Sequence, residues 1–310
     1  MKAIQLGTFD GESRLIHADV PLPVPTDNQV LVQVHAVGVT PSELQWYTTS
    51  HTKSGERREH AIPGHEFSGV IAALGTKVEG LSIGDEVDGM NDWFADGAAA
   101  EYCLTEPANI ARKPHKLTHA MAAAVPISGL TAWQALFDHA KLQPGEKILV
   151  LGDTGGVGLF GVQLAHAHGA VVAATVSAHN MSFARELGAD EAIDYRKSPF
   201  EGRGKEFDVV FDTVGGETLA ISWKMLKESG RMVTIATESE GTGDQRTKSA
   251  FFIVETKRDQ LIEIAQRLDM GTLKAFVNAS VPFEQAPAAF QGQIEEKRGF
   301  GKVVVSVLED

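Results

Sequence analysis

Residues 147–165 constrain the fold more than any other part of this 310-residue chain. They begin with a short apolar run, 148–151, that does not alternate with polar residues, as in a parallel strand buried on both faces. Gly152, Gly155 and Gly158 follow, and an unbroken segment with the apolar spacing of a packed helix comes next. A strand, a glycine turn and a helix start together predict a site for the pyrophosphate of a dinucleotide, because backbone N–H groups can approach the phosphates closely there.

The order of strands and helices along the chain predicts two domains of different architecture. Residues 1–118 carry short strand patterns, glycines and prolines but no long helix, which favours an antiparallel β-rich domain. Beyond them, strands and helices alternate, with six candidate strands of which the last two are 231–236 and 250–254. This alternation predicts an α/β fold with a doubly wound parallel sheet over 119–254. We expect the tail, 255–310, to return to the first domain, which is then discontinuous.

The charge and the cysteine content exclude several classes of partner and compartment. A net charge of −13 argues against nucleic acid as the main partner and against an anionic membrane surface, since both attract basic proteins. Cys103 is the only cysteine, which excludes an internal disulfide and fits a reducing compartment. Residues 1–10 show no apolar signal core, and the uncharged residues 120–137 contain Pro126 and many alanines, as a buried helix does. We therefore expect a cytoplasmic protein that does not bind membranes.

The residues after the candidate strand 171–176 bear on which dinucleotide is bound. A protein that binds NAD usually carries Asp or Glu at the end of this strand, where the carboxylate holds the ribose hydroxyls. Here Ser177 and Asn180 follow, and the first acid is Glu186, so we predict NADPH, whose 2′-phosphate a carboxylate would repel. Arg196 is a second candidate for that phosphate. Two alternatives remain open: Ser177 and Asn180 merely cap a helix, and Arg196 is a solvated surface residue.

Several motifs along nearly the whole chain occur in the order that is typical of one superfamily. They are A-V-G-V-T-P-S-E at 36–43, I-P-G-H-E-F-S-G at 62–69, G-D-E-V at 84–87, P-I-S-G-L-T-A-W at 126–133, the glycine turn, E-L-G-A-D at 186–190 and F-D-T-V-G-G at 211–216. The chain resembles the medium-chain dehydrogenase/reductase superfamily and, within it, the zinc-independent NADPH:quinone oxidoreductases. The resemblance implies a GroES-like β-rich catalytic domain at 1–118 and 255–310, a Rossmann domain at 119–254, an active-site cleft between them, NADPH as the cofactor and a homodimer.

The same resemblance implies which residues bind the cofactor. Thr131 is expected at the nicotinamide end, and Gly155, Gly156 and Val157 are expected at the pyrophosphate. Near the 2′-phosphate we expect Ser177, Asn180 and Tyr195. At the strand ends that line the cofactor we expect Val214, Ala236 and Thr237. Phe251, Phe252 and Lys302 match positions near the nicotinamide. The family pattern R-G-K reads R-G-F-G-K at 298–302 here, which leaves the roles of Arg298 and Lys302 open.

One motif, His65-Glu66, points toward a metal. In zinc alcohol dehydrogenases of the same superfamily, such a pair lies near the zinc. A catalytic zinc needs three protein ligands, and the position that matches the family's cysteine is Thr40, whose hydroxyl is a poor zinc ligand. Cys103 lies outside the family's ligand positions. We therefore predict no metal and expect His65 and Glu66 to make structural hydrogen bonds.

Without a metal to polarise an alcohol, reduction of an electrophilic acceptor is the chemistry that the resemblance favours. NADPH donates a hydride to a quinone, or to the β-carbon of an α,β-unsaturated carbonyl, and the second reaction leaves an enolate to be protonated. Thr40 and Tyr47 are the predicted catalytic hydroxyls, although a surface or core role for Tyr47 is an equal alternative. Trp46, Trp93 and Phe252 are candidates for a flat apolar wall against the substrate ring.

Two other functions remain compatible with the sequence. An enoyl-thioester reductase uses the same hydride chemistry but needs a basic channel for the carrier phosphates, for which Lys53, Arg57 and Arg58 are candidates. A non-catalytic NADPH-binding protein with a structural or sensing role would keep the cofactor site and lose turnover.

Overall fold

The computed structural model describes residues 1–9, 12–152, 155–197, 204–295 and 299–308, so Arg298 lies outside the described residues. The strands, in chain order, are β1 (Lys2–Phe9), β2 (Glu12–Asp19), β3 (Val30–Gly38), β4 (Glu66–Leu74), β5 (Glu86–Met90), β6 (Tyr102–Thr105), β7 (Ile110–Arg112), β8 (Lys147–Leu151), β9 (Val171–Val176), β10 (Glu191–Asp194), β11 (Phe207–Asp212), β12 (Leu226–Thr234), β13 (Val277–Pro282) and β14 (Lys302–Ser306). The α-helices are α1 (Tyr47–Ser50), α2 (His119–Ala122), α3 (Pro126–Trp133), α4 (Gly156–Ala167), α5 (Met181–Glu186), α6 (Gly216–Ser222), α7 (Gln245–Ala250), α8 (Arg258–Met270) and α9 (Ala286–Phe290).

The chain forms two compact units, and the first of them is discontinuous. The first unit contains residues 1–127 and 256–310, and the second contains residues 128–255. The tail joins the first unit because its side chains enter the same apolar core: Phe290 and Val305 are fully buried in one cluster with Phe67.

The first boundary lies nine residues beyond the sequence-based one at residue 118. The reason is that residues 119–127 are tied to strands of the first unit. His119 Nδ1 is hydrogen-bonded to Ser68 Oγ (2.8 Å), and the Ile127 N–H donates to the Glu66 carboxylate (3.0 Å). Both contacts join residues that are distant in sequence, so the alternation of strands and helices did not indicate them.

One mixed sheet forms the framework of the first unit. Its strand order is β13-β14-β3-β4-β5-β7, with β6 also paired to β3, and a separate hairpin joins β1 to β2. The strand pairs are antiparallel except for β13 with β14, whereas the sequence predicted an antiparallel domain. The parallel pair arises because α9 lies between β13 and β14 in the chain, and a helical crossover returns the second strand in the same direction.

In the second unit, the described residues form a parallel sheet of five strands in the order β10-β9-β8-β11-β12. The predicted sixth strand at 250–254 is wrong. Residues up to Ala250 belong to α7, whose first turn is capped by Asp244, and Phe251 contributes only an isolated bridge to Thr234. A run of five apolar residues does not by its periodicity distinguish a strand from the end of a helix.

Among the described residues, one helical stretch, 119–139, is long and apolar enough to cross a membrane. Its most apolar window is 78% buried within the protein, which is what the core helix of a folded domain shows. The prediction that the protein does not bind membranes therefore stands as a prediction, with this burial in its favour.

Candidate active site

The predicted cofactor residues of the second unit gather at one edge of its parallel sheet. The register pairs Leu151 with Thr175 and with Asp212, and Asp212 with Thr234, so the carboxyl ends of β8, β9, β11 and β12 meet at that edge. The strand order reverses between β8 and β11, and ligands of open α/β sheets bind at such a switch point. The predicted residues that follow these strand ends and that of β10 are Gly155, Gly156, Val157, Ser177, Asn180, Tyr195, Val214, Ala236 and Thr237.

Helix α4 begins at this switch point with an open N-terminus. Gly155 is its N-cap, with φ −77° and ψ 161°, and among the described residues no side chain caps the first turn. The first N–H groups of a helix have no partner within the helix, and together with the helix dipole they attract anions. Gly152, with φ +84°, ends β8 so closely against Thr213 that a Cβ there would lie 2.6 Å from the threonine hydroxyl. The start of α4 fits a pyrophosphate, which the N–H groups of Gly155, Gly156 and Val157 would bind.

Ser177 and Tyr195 follow neighbouring strands, where the adenosine ribose is expected. The Tyr195 N–H donates to Val176 O (3.2 Å), which places Tyr195 beside the end of β9. The Asp194 carboxylate is close by, but it accepts the Arg196 N–H (3.1 Å). The Arg196 guanidinium lies 5.5 Å from the centroid of the Tyr195 ring. This corner of the sheet thus offers hydroxyl groups and a cation to a 2′-phosphate, while its aspartate is engaged in a turn.

The residues predicted near the nicotinamide differ in exposure. Thr131 lies in α3 and is 4% exposed, and Phe251 follows α7 beside the end of β12. Phe252 is 8% exposed and stacks on His139, with ring centroids 4.2 Å apart. This burial leaves little of the Phe252 ring to form an apolar wall, so the structure does not support that part of the prediction.

In the first unit, Thr40, Glu66 and Lys302 come together from three distant parts of the chain. Lys302 Nζ donates to Thr40 Oγ1 (3.0 Å) and contacts Glu66 Oε1. The other oxygen of Glu66 accepts the Ile127 N–H at the start of α3 (3.0 Å). Glu66 is fully buried, and the Lys302 side chain is 11% exposed. We call Thr40, Glu66 and Lys302 the lysine cluster.

Glu43 and His65 extend the lysine cluster into the interior. The Gly64 N–H donates to one oxygen of Glu43, and His65 Nδ1 lies 3.6 Å from the other. Neither ring nitrogen of His65 has a hydrogen-bond partner within the part of the chain that the structure describes. The expectation of structural hydrogen bonds is therefore wrong for His65, whose ring packs on Trp93 at 5.1 Å between centroids, and right for Glu66.

The charge on Lys302 is sensitive to pH in the neutral range. Burial lowers the pKa of the Lys302 ammonium to about 7, because the charged form loses its hydration. The Glu43 carboxylate opposes this shift by favouring the charged form. A pKa near 7 suits a group that transfers protons at neutral pH.

Tyr47, the second predicted catalytic hydroxyl, is placed differently from Thr40. Its side chain is 57% exposed and its ring stacks on His51, with centroids 4.1 Å apart and planes within 7°. Trp46 instead turns toward Trp93 in an edge contact at 4.9 Å. Trp46 and Trp93 thus contact each other beside His65, and their role as a wall for the substrate stays a prediction, whereas Tyr47 has the surface position that was its alternative.

Comparisons with known proteins agree with this architecture. Family models match the chain at residues 26–144, described as "Alcohol dehydrogenase GroES-like domain", and at residues 187–305, described as "Zinc-binding dehydrogenase". The 2-methylene-furan-3-one reductase of Solanum lycopersicum is 34% identical, covering 94% of this chain and 74% of the relative. The NADPH-dependent alkenal/one oxidoreductase of Arabidopsis thaliana chloroplasts is 32% identical, covering 98% and 79%.

Similarity of this extent decides the family. The chain belongs to the medium-chain dehydrogenase/reductase superfamily, in its quinone oxidoreductase family. The solved quinone oxidoreductase of Coxiella burnetii agrees, with a TM-score of 0.86 at 28% identity over 99% of both chains. The α/β fold prediction, a Rossmann sheet with a GroES-like domain, is thereby confirmed.

The name of one matching family raises the question of zinc in this quinone oxidoreductase family member. The described residues contain no group of three His, Cys, Asp or Glu side chains arranged to hold a metal. Thr40 and Glu66 both contact the Lys302 amino group, which would place a positive charge beside any metal bound there. Cys103 is buried on β6, paired with Val32 of β3. These residues do not fit a catalytic zinc, and the chemistry below uses none.

Sequence reasoning missed the pairing of Lys302 with Glu66 and the role of Glu43. Lys302 is separated from Glu66 by 236 residues, and Glu43 is a single acid in a short helical turn. The available signal was a Glu at the start of an apolar strand with no Lys or Arg close by in the sequence, as in H-E-F-S-G-V-I, because a buried carboxylate needs a partner from elsewhere in the fold.

Proposed function

We propose that this protein is an NADPH-dependent reductase that transfers a hydride to a quinone or to an α,β-unsaturated carbonyl compound. The open, glycine-flanked N-terminus of α4 at the switch point of the sheet is the observation that carries the proposal. When bound, NADPH supplies the hydride. Gly155, Gly156 and Val157 bind its pyrophosphate, and Thr40 offers a hydroxyl to the acceptor oxygen. Relatives named for alkenals, alkenones, a furanone and quinones support the acceptor class.

A screen of NADPH oxidation over quinones, alkenals and alkenones tests this proposal. We expect turnover with at least one acceptor class, faster with NADPH than with NADH, and unchanged after treatment with a chelator. Stabilisation by NADPH without its oxidation by any acceptor would favour the non-catalytic alternative. Loss of turnover on chelation that added zinc restores would contradict the metal-free chemistry.

Substitution of Ser177 is expected to change the cofactor preference. A carboxylate in Ser177→Asp would repel the 2′-phosphate of NADPH and hold the ribose hydroxyls of NADH. A unit charge pair is worth about 1–4 kcal/mol at 4 Å, so we expect kcat/KM for NADPH to fall roughly 10- to 100-fold while that for NADH is kept or raised. Steady-state kinetics with both cofactors measure this, and Ser177→Asn is the uncharged control. Equal loss with both cofactors would contradict the NADPH assignment.

An enoyl-thioester reductase is the second candidate, because the solved CurK enoyl reductase has a TM-score of 0.80 at 27% identity over 98% of both chains. The basic residues of this chain that could bind the phosphates of an acyl carrier are instead paired with acidic or carbonyl groups of the chain itself. Lys53 pairs with Asp92 (2.8 Å), and the Arg58 guanidinium donates to Ala95 O (2.9 Å) and pairs with Asp96. These pairings favour the small-molecule acceptor. Adding an enoyl thioester of an acyl carrier to the screen separates the two candidates.

A homodimer and a cytoplasmic location are also part of the proposal. Strand β12 is an edge of the parallel sheet, and beside it Ile253 is 51% exposed. An exposed edge with a large apolar side chain favours a second copy as partner. Light scattering would then give twice the 33.3 kDa of one chain.

A further inference from the structure

The lysine cluster combines features that a purely structural ion pair does not need. A buried pair is often no more stabilising than apolar residues of the same size, because both charges lose their hydration. Here Lys302 Nζ also donates to the half-buried Thr40 hydroxyl (3.0 Å) and keeps 11% of its side chain exposed. Thr40 is therefore connected to a group that holds a proton and to solvent that can replace it.

The other charged groups around Lys302 fix its position. Glu66 on β4 contacts Nζ with one oxygen and accepts the Ile127 N–H with the other, so its carboxylate cannot rotate without losing a bond. Glu43, in the turn before α1, is fully buried and favours the ammonium form. His65 lies behind Glu43, at 3.6 Å from its carboxylate. The amino group is thus held by the Glu66 carboxylate, the Glu43 charge favours its ammonium form, and Thr40 is its hydroxyl neighbour.

We propose that Lys302, positioned by Glu66, supplies through the Thr40 hydroxyl the proton that completes the reduction of an α,β-unsaturated carbonyl acceptor. This inference rests on the proposed function. It replaces the expected contact of Lys302 with the cofactor by a role in proton transfer. Thr40 is then the catalytic residue that touches the acceptor oxygen, and Glu66 is a positioning residue.

The proton and the electron pairs balance in this step. The hydride adds to the β-carbon, the carbon–carbon π electrons move to form the enolate, and the oxygen takes the negative charge. The Thr40 hydroxyl gives its proton to that oxygen, while the Lys302 ammonium gives one to Thr40. The product leaves as the enol, which becomes the ketone or aldehyde in solvent. The neutral amine regains a proton from water, so the reaction consumes one NADPH and one proton for each acceptor.

Reduction of a quinone depends less on the transfer of a proton from Lys302 through Thr40, which we call the proton relay. Hydride addition to a quinone forms an aromatic ring, which drives the step, and the phenolate oxygen that results can take its proton from water because phenols ionise only near pH 10. Reduction of an enone forms no aromatic ring, so its carbonyl depends more on an acid that protonates the oxygen as the hydride arrives, and general acid catalysis of such steps contributes about 10²–10⁴-fold. The proposal therefore predicts that loss of the relay separates the two acceptor classes.

The test compares an alkenone and a quinone in the same variants at saturating NADPH. We expect Lys302→Met to lower kcat for the alkenone by roughly 10²–10³-fold and for the quinone by much less. Thr40→Val, which keeps the side-chain shape, should give the same separation if the hydroxyl relays the proton. Lys77→Met, at an exposed lysine paired with Asp27, is the matched control and should leave both rates unchanged. Fluorescence titration measures the NADPH Kd of every variant.

The pH profile adds a readout that a structural role would not move. Because the ammonium is the acid, kcat for the alkenone should fall as the pH rises through about 7, and this fall should be absent in Lys302→Met. Glu66→Gln removes a negative charge beside Nζ and should move the fall to lower pH. An unshifted profile in Glu66→Gln would overturn the positioning role.

Several other results would contradict the proposed role of Lys302. An equal loss of kcat with both acceptors in Thr40→Val would contradict the proton relay. A large rise in the NADPH Kd of Lys302→Met with unchanged kcat would also contradict it and would indicate that Lys302 binds the cofactor. A wild-type enzyme that reduces quinones but no alkenone would overturn it too. If the wild type reduces neither acceptor, the proposed function itself has failed.

Discussion

Gly155→Asp is expected to weaken NADPH binding by roughly 30- to 1,000-fold while the protein remains folded. Gly155 is the N-cap of α4 in an ordinary extended conformation, and the nearest described atom to a Cβ there would be Gly152 O, at 3.9 Å. Aspartate is a preferred N-cap residue, so its carboxylate would take the helix N–H groups and slightly raise the Tm. The same carboxylate would repel the pyrophosphate, at about 1–4 kcal/mol for each close charge pair, or roughly 2–4 kcal/mol in total.

The charge can be separated from the side chain with a matched variant. Gly155→Asn has nearly the same shape and also caps helices, but it adds no charge, so its loss of affinity should be much smaller. Titration of NADPH fluorescence gives the Kd, and thermal unfolding without cofactor gives the stability. If Gly155→Asp and the wild type bind NADPH with similar affinity, the pyrophosphate does not bind at the start of α4. The main observation behind the proposed function would then be lost.

Gly38→Ala is expected to destabilise the first unit by about 3 kcal/mol, at the upper end of what an added methyl group costs in a packed interior. A Cβ at Gly38 would lie 2.4 Å from Ala123 O and 2.6 Å from the Glu66 side chain. The carbonyl belongs to the backbone and cannot move aside, so Glu66 must leave the Ile127 N–H or β3 must shift. For a unit of this size the cost corresponds to a fall in Tm of roughly 6–12 °C.

Thermal unfolding measured beside Gly243→Ala checks this expectation. A Cβ added at Gly243 would meet no described atom within 4 Å, and the backbone there has no left-handed φ, so the same substitution should change the Tm little. Gly38→Ala should also reduce turnover of an alkenone at temperatures where it is folded, because the displaced Glu66 no longer holds Lys302. A Gly38→Ala protein with wild-type Tm and turnover would show that Glu66 moves freely, contrary to its two hydrogen-bonded contacts.

Local patterns predicted the second unit well because parallel strands and helices alternate within short distances. The predicted bounds of β9 and β10 are the observed ones, and the glycines after β8 lead into a helix as expected. In the first unit, the predicted helix Arg258–Met270 is also present and ends at Gly271 with φ +75°, the left-handed conformation of a C-terminal glycine. The prediction of a strand at 250–254 was wrong because a run of five apolar residues has no periodicity that distinguishes a strand from a helix.

The sequence by itself determined the family and the two architectures, and it predicts where a dinucleotide pyrophosphate would bind. Each of these depends on residues that are close in the chain, so spacing and residue type carry the information. Only the tertiary structure decided which buried charges meet. Lys302 reaches Thr40 and Glu66 across 262 and 236 residues, and the desolvation that lowers its pKa to about 7 exists only when β14, β3 and β4 have closed over it. Burial is a property of the packed fold, and no local pattern records it.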